Sequence, residues 1–363
     1  MDAVRKIAEA VLYEGYILWP YRRSTTKNQQ RWTFGGVYPR AYSEARGEDD
    51  PWLMQTQCLV SGDTESVIEV KVRFLHVTER KVASLRGVGS GAVGGGFQTR
   101  PYQGVGQTGE RRAAGRLEFV DELRVGEELY LPWDEATERE IKVGRFRLSQ
   151  LLKTAERAKI DIPGGSSQEA LAGPTGENLG AFVRSWRALC GAVEVEAENL
   201  RERIFRLTVR IINTTPWEGE DRESTLRQTF CSTHTMLEVE GGEFVSMTDP
   251  PEDLRGLAEE CENLKTWPVL VGEKGDTNML LSSPIILSDY PQVAPESPGD
   301  MFDGGEIDQL LILNILTLTD EEKAEMRASD PRAREILERC ESLSQEQLMN
   351  LHGAIREFRV LKD

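Results

Sequence analysis

Residues 66–82, SVIEVKVRFLHVTERKV, alternate apolar and polar side chains almost without a break. Ile68, Val70, Val72 and Phe74 fall on one side of an extended chain, and Val67, Glu69, Lys71 and Arg73 on the other. A period of two belongs to a strand, and a strand with one apolar and one wet face belongs to an antiparallel sheet. The rest of the first three quarters fits around that strand. MQTQCLV before it alternates in the same way, and RIFRLTVRIINTTP has the alternating, Asn-ended form of a sandwich strand. Residues 228–247 read as a hairpin turning at Gly241 and Gly242, and WPVLVGEKGDTNMLLSSPIIL as a closing pair. Between residues 116 and 152 short strands are separated by Gly126, Pro132 and Gly144, with a helical turn expected over residues 134–140.

Helices are expected at the two ends. Val4, Ile7, Ala8, Val11 and Leu12 recur at three- and four-residue spacing up to Gly15. The aromatic and Arg-rich stretch that follows, over residues 15–42, reads as two short strands around a polar turn. A short helix over residues 249–264 has Asp249 as its expected cap. At the C-terminal end, a stripe through Ile307, Leu311 and Ile315 marks one helix. Thr319 before three acids opens a second, Asp330-Pro331 a third, and the Ser344 and Gln347 capping box a fourth. Four short capped helices form an autonomous bundle or a docking arm.

The expected fold is therefore α+β. A mainly antiparallel β-sandwich or barrel-like body occupies residues 1–295, with long loops at 87–115 and 159–180. An acidic hinge and C-terminal helices occupy residues 296–363. A chain of 363 residues is long enough to bury such a core without disulfide staples. Five scattered cysteines without a CxxC pair fit reduced, buried thiols.

Charge narrows the partners. Against 44 Lys and Arg stand 61 Asp and Glu, a net charge of −17 that repels nucleic acid and anionic lipid at long range. The local exception is the stretch YRRSTTKNQQRW, where Arg22, Arg23, Lys27 and Arg31 with Trp32 form either an anion or partner contact or an ordinary solvated edge. No window holds about 18 consecutive apolar residues, so no membrane span is expected. Asp2, Glu9 and Glu14 interrupt what a signal peptide needs, and a cytoplasmic location is expected.

Chemistry is sparse. His76, His234 and His352 stand alone, with no HxxxH or HExxH spacing for zinc. Cys231 lies three residues before His234, which on a regular strand puts the two on opposite faces, so a shared metal or nucleophile role needs a bulge. Gly89, Gly91 and Gly94 spell GxGxxG, but the following GGFQTRPYQG cannot start a helix, so the dinucleotide reading fails. Glu296, Asp300, Asp303 and Glu306 crowd a Pro/Gly-rich hinge, residues 282–308, that a hydrophobic run enters. Such acids gather a hard cation, cap the next helix, or stand in solvent. No cofactor is expected.

Three stretches are distinctive together: EGYILWPYRRSTTKNQQRWTFGGVYP, VDELRVGEELYLPWDEATER, and the segment from SSPIILSDYPQVAPESPGDMFDGGEID onward. They resemble an accessory protein family encoded beside the oxygen-tolerant, high-affinity nickel-iron hydrogenases of actinobacteria and related bacteria. The resemblance implies a role in hydrogenase maturation, assembly or electron-transfer coupling, with hydrogenase subunits or maturation proteins as partners. It brings no catalytic residues. The function expected is a non-catalytic assembly protein acting by protein–protein contact. The alternatives are a β-sandwich hydrolase or lyase using Asp300 or Glu306 as acid and base, and a nickel- or iron-delivery protein.

Overall fold

The computed structural model describes residues 2–14, 21–25, 34–46, 49–85, 117–217, 219, 221–292 and 308–343. Helix α1 (Asp2–Leu12) and α2 (Arg40–Arg46) precede the long strand β1 (Leu53–Leu85). Strands β2 (Leu117–Val120), β3 (Leu123–Val125), β4 (Glu128–Tyr130) and β5 (Trp133–Arg147) follow, then the single turn α3 (Leu148–Leu151). Next come β6 (Glu156–Ile162), β7 (Gly165–Ala172), β8 (Asn178–Trp186), β9 (Leu189–Arg201) and β10 (Ile204–Asn213). The short α4 (Arg222–Leu226) leads to β11 (Cys231–Phe244), and α5 (Arg255–Glu259) to β12 (Trp267–Leu270) and β13 (Met279–Ser283). Helices α6 (Asp308–Leu316), α7 (Asp320–Ser329) and α8 (Pro331–Ser342) close the described chain.

All the sheet pairings among the described residues are antiparallel, and β1 is the spine. Its first part pairs with β10, its middle with β11 on one side and β5 on the other, and its last part with β8 and β2. Strands β9 and β6 extend the sheet beyond β10, β13 and β12 beyond β11, and β7 beyond β8. The main core fills one side, with Ile68, Val70, Val72 and Phe74 of β1 against Val193, Leu207, Leu237 and Phe230. The alternation read from the sequence holds up to Lys71. From Val72 to Thr78 both faces are buried, because helices cover the face that the pattern left wet.

Residues 228–247 do not form a hairpin. β11 runs straight through Gly241 and Gly242 and pairs with β1 along its length. The irregularity lies in β1, where the register shifts between Gly62 and Val67 and Ser66 Oγ donates to the Gly241 carbonyl at 2.7 Å. A Cβ on Gly62 would come within 3.3 Å of the Gly242 Cα and 2.6 Å of Ser66 Oγ, so the glycines serve close strand approach rather than a turn. Residues 134–140 are strand, not a helical turn. Glu135 and Glu138 of β5 pair across the ladder with Arg80 and Arg73 of β1, which draws an acidic, helix-like sequence into the sheet. The span 159–180 is likewise not a loop: it holds the end of β6, all of β7 and the start of β8. Helix α5 begins after Leu254 with no side-chain cap, so Asp249 does not cap it. Over residues 15–42 the described part shows the start of α2 and one bridge, Val37 to Phe230, and the two strands expected there fall largely on residues 15–20 and 26–33, outside the described residues.

The C-terminal caps are as the sequence predicts. Thr319 and Glu322 form a capping box for α7, and Asp330 accepts from the Arg332 amide with Pro331 in the first turn of α8. The expected fourth helix at Ser344 lies outside the described residues. The three described helices dock on the sheet, sharing a second core with α1 and β1 through Leu12, Tyr13, Leu75, Ile312, Ile315 and Ile336. Buried polar bonds lock the joint. Arg80 donates to the carbonyls of Leu131, Ala328 and Ser329 at 2.7–2.9 Å and pairs with Glu135 at 2.9 Å. Trp133 Nε1 donates to the Asp330 carboxylate at 2.8 Å. No helix among the described residues is long and apolar enough to cross a membrane.

Candidate interaction surface

The basic stretch and the hinge are represented unequally. Lys27, Arg31 and Trp32, and the hinge acids Glu296, Asp300, Asp303 and Glu306, lie outside the described residues. Arg22 is half-buried and pairs with Glu322 at 2.7 Å. The backbone amides of Arg23 and Ser24 donate to Ser329 Oγ and to Glu325 at 3.2 and 2.8 Å. Residues 21–25 thus clamp α7 to the body, with the Arg23 side chain exposed.

Cys231 and His234 do sit at a bulge, where the β1 register shifts between Arg73 and Leu75 and Ser232 adopts φ 48°. They still work apart. The Cys231 thiol faces the carbonyls of Leu226 and Thr229. His234 Nδ1 meets the Ser232 carbonyl at 2.8 Å, which assigns the ring proton to Nδ1 and leaves Nε2 to accept from Ser283 Oγ at 3.3 Å. Burial pushes the His234 pKa down to about 4, so the ring is neutral at pH 7. A hydroxyl aimed at an imidazole is the pairing of a nucleophile and its base. Here both residues are fully buried, so no substrate reaches them. Among the described residues no three His, Cys, Asp or Glu side chains converge as a metal site.

Beside His234 a different surface opens, at the end of the sheet where β1 begins and β13 finishes. Trp267 stands opposite Ser283 in the β12–β13 ladder, and Leu264 bridges to Gln55 just inside β1. Pro284, immediately after β13, packs on Gly35, whose φ of 56° and lack of a Cβ permit that approach. The contact brings Phe34 and Ile286 to the same end, and the Phe34 carbonyl accepts from the Ser232 amide at 3.1 Å. Phe34 is 41% exposed, Leu264 44%, Trp267 42% and Ile286 73%. They are four of the six large exposed hydrophobic side chains among the described residues, and they stand on segments that meet through the Gly35–Pro284, Gln55–Leu264 and Trp267–Ser283 contacts.

The polar groups beneath this end are satisfied in part: among the described residues the buried Ser232 Oγ and Thr235 Oγ1 have no hydrogen-bond partner. Thr56 Oγ1, Ser282 Oγ and Thr266 Oγ1 form a buried hydroxyl chain with spacings of 2.8 and 2.7 Å. Lys265 stands exposed between Leu264 and Thr266 with φ 60°. The edge strand β12 is closed to strand addition: Pro268 has no N–H, Leu270 N donates to Asp289 at 2.8 Å, and Tyr290 N donates to the Leu270 carbonyl at 2.8 Å. What this end offers a partner is apolar side chains, not backbone. The sequence signal was the hydrophobic run entering the hinge; the placement of Phe34 beside it is a product of the fold. No protein-family model matches the chain, and no curated protein matches it significantly.

Proposed function

We propose that this chain is a non-catalytic accessory or assembly protein for nickel-iron hydrogenase maturation, working in the cytoplasm by protein–protein contact through the apolar end of its sheet. The observation that carries the contact is that the exposed Phe34, Leu264, Trp267 and Ile286 stand on segments joined by the Gly35–Pro284, Gln55–Leu264 and Trp267–Ser283 contacts. Aromatic and aliphatic side chains left in water at one end of the sheet are the makings of an interface centre. The hydrogenase context rests on the sequence resemblance. Two of its three stretches supply this surface, the first ending just past Phe34 and the third opening with Pro284 and Ile286.

The test is a pull-down with the tagged full chain from a host that makes the hydrogenase. Hydrogenase subunits or maturation proteins are expected with the wild type, and at least about tenfold less with Trp267→Ser combined with Ile286→Ser, the loss of one or two anchor residues. Recovery of none of them by the wild type overturns the hydrogenase reading. Equal recovery by the double variant overturns the surface.

A further inference from the structure

On the face of β5 that looks across to Phe74, a guanidinium reaches a buried imidazole, and we infer that Arg139 and His76 together bind the carboxylate of a small organic acid. The β1–β5 ladder sets Arg139 opposite Phe74 and Thr137 opposite His76, so the four side chains share one face of the sheet. His76 is fully buried, Arg139 half-buried and Thr137 exposed. Arg139 is thus the link between solvent and the ring.

The ring supplies a donor without an acceptor. Arg139 Nη2 lies 3.4 Å from His76 Nδ1, and a guanidinium only donates, so Nδ1 accepts and the ring proton sits on Nε2. The Arg187 carbonyl faces the ring, yet that buried N–H has no hydrogen-bond partner among the described residues. Arg139 Nε is also buried and unbonded. Arg80, Arg206 and Arg227 leave Nε in the same state, but each of those guanidinium groups meets a carboxylate through its terminal nitrogens. Among the described residues Arg139 meets none, and its bond is to the imidazole.

A carboxylate is the occupant these groups favour. Both orphaned atoms are donors, so they exclude a cation and call for an acceptor. A water would satisfy them and leave the half-buried charge uncompensated, whereas one negative charge answers both needs. The acids of β5 are committed elsewhere: Glu135 to Arg80 and Arg184, Glu138 to Arg73, and Glu140 to Arg5. No carboxylate acts on the His76 ring, which responds to burial, to Arg139 and to the Arg187 carbonyl. The guanidinium fork matches the two oxygens of a carboxylate, and the ring N–H adds a further donor beside it. None of these residues belongs to the apolar end, so the two sites stand or fall independently.

Formate and acetate are the probes, titrated into the full chain from about 1 to about 200 mM against chloride at equal ionic strength, a range suited to one charge-assisted contact. Selective ¹⁵N labelling of histidine reads the ring directly, the His76 signal being the one lost in His76→Asn. A saturable shift of the His76 Nε2 resonance is expected with formate and acetate and not with chloride. Arg139→Gln should weaken the apparent affinity at least about tenfold, since the charged partner is gone. Arg139→Lys keeps the charge without the fork, should lose a smaller factor, and carries the test if the Gln variant does not fold. The absence of any saturable shift beyond that of chloride overturns the proposal and leaves water as the occupant. An affinity unchanged in the folded Arg139 variants overturns it as well, because the anion then binds elsewhere.

Discussion

On the flank covered by α6–α8, side chains with full charges go under cover and each is answered; at the end where β1 begins, apolar side chains remain in water above a closed hydroxyl chain. Arg80, 5% exposed, meets three carbonyls and Glu135. Arg73 reaches Glu138 at 2.5 Å, and Tyr13 donates to the same carboxylate at 2.7 Å while Arg332 stacks on its ring at 3.4 Å. Burial works against the Glu138 charge, but the bonds from Arg73 and Tyr13 outweigh it and hold the carboxyl below its ordinary range. Burying charge on that flank is costly unless each group is paired and hydrogen-bonded, which makes it a seam of the fold. The apolar end costs folding little and leaves its surface for something else.

The strongest way to break this contrast is Arg80→Met. Removing the guanidinium strands the Ala328 and Ser329 carbonyls and leaves Glu135 to Arg184 alone. A loss of about 3–5 kcal/mol is expected, the range for breaking a buried ionic network. Urea unfolding reads it, and limited proteolysis should cut α7 and α8 first. A loss below about 1 kcal/mol would make the helices an appendage after all.

Asp330→Ala comes next. The carboxylate both accepts from Trp133 Nε1 and caps α8. Orphaning a buried indole N–H costs about 1–3 kcal/mol and losing the cap about 1 more. Asp330→Asn keeps an acceptor and a cap, and should recover most of the loss in thermal melts.

Acid separates the seam from the buried histidines. His234 and His76 both titrate near 4 in the fold, driven down first by burial and then, for His76, by Arg139. Unfolded, each ring takes a proton near 6.5. Between those values the unfolded state binds more protons, so stability is complete above pH 6.5 and falls as pH drops toward 4. From pH 7.5 to 5 each ring removes about 2 kcal/mol. Glu138 and Glu79 are held below their ordinary values and contribute losses only at more acid pH. His234→Asn should flatten its share of the slope in urea midpoints taken at several pH values; an unchanged slope would place the titration elsewhere.

How much of this was legible in the sequence follows from the range of each interaction. The period-two run of β1 and the caps at Thr319 and Asp330 are local, and they are where the structure has them. β5 was hidden because Glu135, Glu138 and Glu140 look helical until Arg80, Arg73 and Arg5 are set beside them. β7 was hidden because a strand with no buried face has no hydrophobic period to read. The docking of α7 and α8 depends on Arg80 meeting Ser329, a pairing that no local pattern encodes. At the apolar end, the run through Ile286 was visible, but Phe34 joins it only through the packing of Gly35 on Pro284.

The smallest stability effect is the most informative about the exposed end. Ile286 is 73% exposed and follows the last strand, so Ile286→Ser removes little buried area and should shift the unfolding free energy by no more than about 0.5 kcal/mol. Trp267→Ser, at 42% exposure, should cost somewhat more because half its ring lies on the sheet. If either change destabilises as strongly as Asp330→Ala, the side chain is part of the core and the contrast between the two regions collapses. If both leave the fold intact while the pull-down fails, these side chains are held in water for a partner, since nothing in the stability of the chain requires them there.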